Sequence, residues 1–279
     1  MRKIDGRKIS QDIFSELKKL TPPQKFLAVF LVGNDSSSVS FVKQKEKKAK
    51  ELGVDFRLYA YPSEIKNDDL RERIRRITAG QACGGAIIQL PLPSHLNPYY
   101  VFNVVSKEKD VDVLSERGFG SFCADRSLVL PPAVGAVKVI LEKEKKDIQL
   151  LKVAVIGSGT LTGKPISVWL MDKCKQICVF GRESDLAVLN QADLIISGVG
   201  QASLFNAKMI KSDAGVIDFG WSVSKDGEIS GDFEPMTNLP DFSPAQLSGF
   251  YTPTPGGTGP VVVAKFFENF YRLTGHQYD

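Results

Sequence analysis

Histidine is almost missing from this chain, with only His95 and His276 among 279 residues. Cys83, Cys123, Cys174 and Cys178 form no CxxC pair, so no zinc ligand set assembles and no metal is expected. A Ser-His-Asp hydrolase is poorly supported for the same reason. The four cysteines read as reduced, mostly buried and structural. No apolar run approaches the roughly eighteen residues that span a bilayer. Met1-Arg-Lys-Ile-Asp5 also lacks a secretory hydrophobic core, which points to a cytoplasmic protein without membrane association. Charge of one sign is scarce too: 36 basic against 32 acidic residues leave a net +4. That excess is too weak to imply nucleic acid, though it suits a small anionic ligand. What is present is ordinary globular material, 43% hydrophobic and long enough for one large or two medium domains.

The organising stretch is Lys152-Val-Ala-Val-Ile-Gly-Ser-Gly-Thr-Leu-Thr-Gly-Lys-Pro165. Val153–Ile156 has the continuous apolar character of a strand buried on both faces, and Gly157, Gly159 and Gly163 follow as the turn opens into a helix from Pro165 to Met171. Glycine there lets backbone N–H groups approach a pyrophosphate, and the helix N-terminus adds a favourable dipole. The third glycine stands one place beyond the standard fingerprint, so a plain strand-to-helix turn without a ligand stays open on the motif alone. A second strand, Gln176–Gly181, ends about twenty residues on, where an acid usually grips the ribose of NAD. Arg182 stands there first, a guanidinium able to pair with a 2′-phosphate, and the residues lean to NADP. Glu183 beside it leaves NAD open.

Upstream, Ile9, Ile13, Phe14 and Leu17 fall at helical spacing, and Phe26–Gly33 reads as a buried strand. A polar turn at Asn34–Ser38 starts a helix that Gly53 stops. On it Phe41, Lys45, Lys48 and Leu52 share one side, which sets Lys45 among apolar neighbours, while the remaining lysines read as a solvated face. Val54–Tyr61, a charged helix over Asn67–Thr78 and Gly85–Pro93 complete a βαβαβ pattern, hence a parallel sheet. Gln89 is polar within that third strand, near the end where open α/β sheets place ligands. Lys107–Val113 reads as extended, with Asp110 and Asp112 on one side; solvent-facing loop charges are the commoner reading of such a pair. A junction falls near 115–132, and a helix over Gly135–Glu144 opens the second α/β half. Ala192–Gly200 and Ala214–Gly220 are short buried strands ending in glycine, Gly249–Pro260 is a rigid loop, and Val261–Leu273 is a final amphipathic helix.

These motifs, in this order and over nearly the whole length, resemble the methylenetetrahydrofolate dehydrogenase/methenyltetrahydrofolate cyclohydrolase (FolD) family. The resemblance rests on the Val32-Gly33-Asn-Asp-Ser-Ser turn with its lysine-rich helix, Gln89-Leu-Pro-Leu-Pro93, Lys109-Asp-Val-Asp112 and the glycine turn. Val216-Ile-Asp-Phe-Gly220, Gly231-Asp232 and Thr252-Pro-Thr-Pro-Gly-Gly-Thr-Gly-Pro260 complete it. It implies two α/β domains around a cleft, the second Rossmann-like: residues 1–130 with 257–279 binding folate, and 131–256 binding NAD(P). It also implies hydride transfer from 5,10-methylenetetrahydrofolate to NADP, then hydrolysis of the methenyl product to 10-formyltetrahydrofolate, by a homodimer in one-carbon metabolism that serves purine and amino-acid biosynthesis. Lys45 is implied as the general acid/base of hydration, Gln89 as its orienting partner and Asp112 as the grip on the pterin. Phe41, Pro255, Gly256 and Gly257 are implied to bind substrate. Gly157, Ser158, Gly159, Thr160, Gly163, Arg182, Gly198, Val199, Gly200 and Thr258 are implied to bind the cofactor. Physical chemistry agrees on Lys45, since an amine among apolar groups beside a cationic substrate loses proton affinity.

Four places depart from the family pattern. Phe41 replaces a tyrosine, which removes a hydroxyl near Lys45 and predicts a comparatively weak cyclohydrolase. Val113 replaces a glycine after the pterin aspartate, and Leu130-Pro-Pro-Ala133 replaces a Pro-Cys-Thr-Pro run. Gly157-Ser-Gly159 replaces Gly-Arg-Ser, leaving more of the phosphate recognition to Arg182. Two other readings compete: a relative that binds folate or nucleotide without turnover, against which the trio Lys45, Gln89 and Asp112 argues, and a different two-domain dehydrogenase with a catalytic histidine or lysine–aspartate pair, whose histidine version is poorly supplied by His95 and His276.

Overall fold

The computed structural model describes residues 1–235 and 247–276. β1 (Arg2–Lys3) and α1 (Gly6–Leu17) open the chain. β2 (Phe26–Val32), α2 (Ser36–Leu52), β3 (Phe56–Tyr61), α3 (Asn67–Ala79) and β4 (Cys83–Ile88) follow, then α4 (Pro98–Phe102) and α5 (Glu116–Cys123). α6 (Pro132–Lys143) leads into β5 (Lys152–Ile156), α7 (Gly163–Leu170), β6 (Gln176–Phe180), β7 (Leu194–Ser197), β8 (Phe205–Asn206) and β9 (Gly215–Asp218). The short strands β10 (Ser222–Val223), β11 (Ile229–Ser230), β12 (Phe233–Glu234) and β13 (Phe250–Tyr251) precede α8 (Thr258–Leu273).

The chain forms two compact α/β units, one of Asp12–Pro132 with the chain from Val263, the other of Met1–Gln11 with Ala133–Val262. In the first, a three-stranded parallel sheet runs β3-β2-β4. Every residue of β2 is buried. Because strand side chains alternate, Leu27, Val29 and Leu31 join Phe14, Val42, Leu52 and Phe267 of α1, α2 and α8 in one core. Phe26, Ala28, Phe30 and Val32 join Leu70, Ile74 and Phe102 of α3 and α4 in another. This two-sided burial is why the strand reads as one unbroken apolar run. α2 is capped at both ends, by Asp35, whose side chain accepts from the Ser38 N–H, and by Gly53 in the left-handed conformation at φ 70°.

The second unit is built on a six-stranded parallel sheet, β1-β13-β9-β7-β5-β6. β5 has β6 on one side and β7 on the other, so the order of strands reverses at β5, and ligands of open α/β sheets bind outside the carboxyl end of such a strand.

Several expectations are corrected. The third strand stops at Ile88, so Gln89 lies one residue past it, and Leu90–Pro91 is cis. Proline cannot supply the ladder N–H, which ends the strand early. Lys107–Val113 is a turn, with Val113 at φ 59° and Asp110 alone bridged to Ala86. Cys123 and Cys178 are exposed, Cys174 is half-buried and only Cys83 is buried. The chain enters the second unit at Ala133, at the end of the 115–132 junction, which carries α5. Met1–Gln11 sits with the second unit, because β1 pairs with β13.

Candidate active site

In the first unit, α2 carries Phe41 and Lys45 one turn apart, both half-buried. Gln89 follows directly on β4 and is buried. Its amide nitrogen donates to the Leu90 carbonyl at 2.7 Å, which turns the oxygen to Lys45, whose ammonium donates to it at 3.1 Å. The same ammonium lies 5.0 Å from the centroid of the Phe266 ring on α8. Desolvation lowers the proton affinity of Lys45 below the usual lysine range, and the charge of Asp112 opposes that shift. Asp112 moves the other way: burial raises it, Lys45 lowers it and Asp110 raises it further. Both shifts favour the neutral forms, and an amine in its neutral form can take a proton from water.

Asp110 is no twin of Asp112. It is buried, and its carboxylate accepts from the Leu114 N–H at 3.1 Å and the Ser115 N–H at 2.7 Å, so it builds the turn. From α8, Asn269 adds two ties, donating to the carbonyls of Val111 and Leu130 at 2.9 and 2.7 Å. Asp112 is thus presented by a turn pinned on both sides. Val113 completes it in a left-handed conformation that glycine adopts freely and valine does not, while its side chain is 2% exposed.

In the second unit, the glycine turn leaves β5 at the strand reversal. A Cβ on Gly163 would lie 2.0 Å from the Gly157 carbonyl oxygen, so this glycine serves close packing of the first turn of α7 under the loop. A Cβ on Gly159 would meet nothing nearer than the Thr162 hydroxyl at 3.8 Å, which leaves open space for a ligand backbone contact. Ser158 and Gly159 are exposed and Thr160 half-buried. The Gly157 N–H donates to the Phe180 carbonyl at 2.8 Å, which sets the end of β6, and exposed Arg182 two residues on, beside the turn. The loop Gly198-Val199-Gly200 adjoins it from β7: a Cβ on Gly198 would fall 2.5 Å from the Thr162 hydroxyl. Open space over Gly159 and a helix N-terminus fit a dinucleotide phosphate.

The Pro255-Gly256-Gly257 segment follows the cis bond Thr254–Pro255. Gly256 is at φ 98°, and a Cβ on Gly257 would meet the Pro253 carbonyl at 2.4 Å. Thr258 is buried with its hydroxyl donating to the Asp218 carbonyl at 2.8 Å, so its side chain is held inside the unit.

Sequence reasoning missed three sets of residues. Lys164 is exposed at the second position of α7, visible in the Gly163-Lys164-Pro165 motif but not singled out. Asn269 gave no signal beyond being polar on an apolar helix face. Asp218 and Asp232 are 1% and 0% exposed, and burial pushes Asp218 up to about 7, with the charge of Asp232 adding to the shift. Among the described residues no group of three or more His, Cys, Asp or Glu is placed to hold a metal ion, and no helix is long and apolar enough to cross a membrane.

Comparison with known proteins agrees with this geometry. The model of the tetrahydrofolate dehydrogenase/cyclohydrolase catalytic domain matches residues 4–112, and that of the same family's NAD(P)-binding domain matches residues 131–278. The bifunctional protein FolD of Helicobacter pylori is 32% identical over 276 residues, covering 95% of this chain and 93% of the relative. FolD of Moorella thermoacetica is 31% identical over 276 residues, covering 95% and 96%. The crystal structure of FolD from Campylobacter jejuni, at 28% identity, superposes with a TM-score of 0.89 over 98% of both chains. With family models matching residues in both units and relatives aligned along almost their whole length, the chain belongs to the tetrahydrofolate dehydrogenase/cyclohydrolase family, that of the bifunctional FolD proteins.

Proposed function

We infer that this protein oxidises 5,10-methylenetetrahydrofolate to 5,10-methenyltetrahydrofolate with NADP and hydrolyses the product to 10-formyltetrahydrofolate, in one-carbon metabolism. The observation that carries the reading is Lys45, hydrogen-bonded to Gln89, lowered in proton affinity by desolvation and answered by the charge of Asp112, in a chain of this family. Asp112 grips the pterin, and Phe41, Pro255, Gly256 and Gly257 bind the rest of the folate. As water adds to the methenyl carbon, Lys45 takes its proton and returns one to the ring nitrogen when the carbon–nitrogen bond breaks; Gln89 holds the amine in line for both transfers.

Gly157, Ser158, Gly159, Thr160, Arg182, Gly198, Val199 and Gly200 hold the dinucleotide, which supplies the hydride acceptor, while Gly163 and Thr258 shape the site by packing. These residues need only bind and orient it, because the folate nitrogen itself drives the hydride out. The choice of NADP is supported by Arg182 beside the glycine turn and by a relative from Trypanosoma brucei, 25% identical and superposing with a TM-score of 0.86, whose structure was solved with NADP and an inhibitor. In this reading the unit of Asp12–Pro132 chiefly serves folate and the unit of Ala133–Val262 chiefly serves the dinucleotide. The protein works as a cytoplasmic homodimer feeding purine and amino-acid biosynthesis. Following reduced cofactor and methenyl-folate at separate wavelengths, with methylenetetrahydrofolate and either NADP or NAD, tests it. NADP reduction followed by methenyl-folate decay supports the reading, and no reduction of either cofactor refutes it.

A further inference from the structure

The family resemblance implies that Gly198-Val199-Gly200 binds the cofactor, and loops of this kind commonly offer their N–H groups to phosphate. Here those groups are already taken. The Asp232 carboxylate accepts from the N–H of Val199, Gly200 and Gln201, each at 2.8 Å, and from the Ser197 hydroxyl at 2.6 Å. With 0% of its surface exposed, Asp232 meets no solvent. Three successive amides converging on one oxyanion make an anion-binding concavity, and the chain fills it with its own carboxylate.

The carboxylate is itself held by interlocked packing. A Cβ on Gly220 would lie 2.2 Å from Asp232 Oδ1, and one on Gly231 would lie 2.1 Å from Asp218 Oδ2. Glycine at both places lets the end of β9 and the Gly231-Asp232 turn close on each other's aspartates. Asp218 accepts from the Gly220 N–H at 2.6 Å and the Phe233 N–H at 2.9 Å, which ties the residue after Asp232 to the sheet. The carboxyl end of β9 is therefore tied through Asp218 to the Phe233 N–H, and the adjoining Asp232 is tied to the loop after β7. This explains why Asp-Phe-Gly220 and Gly231-Asp232 occur as a pair of motifs.

We propose that Asp232 is a positioning residue for the dinucleotide: it fixes the 197–201 loop and withholds the three amides from ligand phosphate, so that the loop meets an uncharged part of the cofactor. The exposed Val199 side chain is the group left for that contact. Phosphate recognition then belongs to the glycine turn and Arg182. The proposal rests on the assignment of the glycine turn as the dinucleotide site, and the test separates the two.

The experiment measures affinity of the ligand-free protein for NADP and for NAD by isothermal titration, and backbone hydrogen exchange at residues 199–201, for wild type, Asp232→Asn and Ser197→Ala. Asparagine keeps the size but offers one acceptor oxygen where the carboxylate offers two, so exchange at 199–201 should quicken and both affinities should fall by the same factor, about tenfold or more. Ser197→Ala removes one of four donors and should weaken both equally, by a few-fold. Unchanged affinities alongside faster exchange would overturn the proposal, as would a loss confined to NADP, since that pattern marks a phosphate contact. Should Asp232→Asn not fold, Ser197→Ala decides alone: an equal few-fold loss supports the proposal, and unaltered affinity and exchange sink it. Failure of the wild-type protein to bind either dinucleotide would instead remove the site assignment.

Discussion

Replacing Lys45 by methionine separates chemistry from packing. The side chain keeps its length and its contact with the core, and loses the amine. On the stability side, the 3.1 Å hydrogen bond to Gln89 is worth about 1 kcal/mol and the contact over Phe266 about 0.5–1 kcal/mol. Against this, desolvation disfavours the charged amine of Lys45, so removing it also removes a burial cost. The net loss should stay below about 2 kcal/mol, or roughly 4–8 °C in unfolding temperature. On the activity side, loss of a positioned acid/base slows hydration by about 10² to 10⁴, equivalent to about 2.7–5.4 kcal/mol in the barrier. Hydride transfer needs no such group and should fall far less. The assay is hydrolysis of added methenyl-folate beside dinucleotide reduction on one protein sample, with a thermal melt. Equal loss of both activities would refute the reasoning, because Lys45 would then act in folate binding. A melt lowered by tens of degrees would assign it to the core.

Arg182→Ala should raise the Michaelis constant for NADP more than that for NAD, by about 1.5–3 kcal/mol in binding; equal effects would make Arg182 a solvated loop charge. Phe41→Tyr should speed methenyl-folate hydrolysis several-fold and leave dehydrogenation nearly unchanged, since one hydrogen bond made in the transition state is worth about 1 kcal/mol. A neutral or harmful outcome would mean that another group supplies the missing hydroxyl's role. Val113→Gly loses about 1.5–3 kcal/mol of apolar burial and about 0.5–1 kcal/mol to chain entropy, but regains about 1–2 kcal/mol by relieving the left-handed backbone at φ 59°. Urea unfolding should show a net loss of about 1–2 kcal/mol, and a loss above about 4 kcal/mol would mean that the backbone carries no strain.

The parts legible in the sequence were those set by local periodicity. β2 and β5 announced themselves as apolar runs because both faces are covered, and the glycine turn because three glycines meet crowding or open space within seven residues. Lys45 could be chosen from its neighbours because helical spacing places it among apolar side chains. Hidden features depend on contacts far apart in the chain. β1 pairs with β13 across nearly the whole chain, so nothing near Arg2 tells of it. Asp110 and Asp112 look equivalent at a spacing of two. Only the left-handed turn at Val113 folds the backbone amides of Leu114 and Ser115 onto Asp110 and leaves Asp112 to interact with the charge of Lys45. Asp232 reaches its loop across more than thirty residues, and a carboxylate beside a glycine reads locally as an ordinary turn.

The most direct test of two linked steps on one folate-borne carbon is to supply methylenetetrahydrofolate carrying two deuterium atoms on the bridging carbon, with unlabelled NADP, and to weigh both products. One deuterium should be found in the reduced cofactor and the other on the formyl carbon of 10-formyltetrahydrofolate, since hydride leaves once and hydration does not touch the remaining bond. A reduced cofactor without deuterium, or no labelled formyl-folate, would contradict the account.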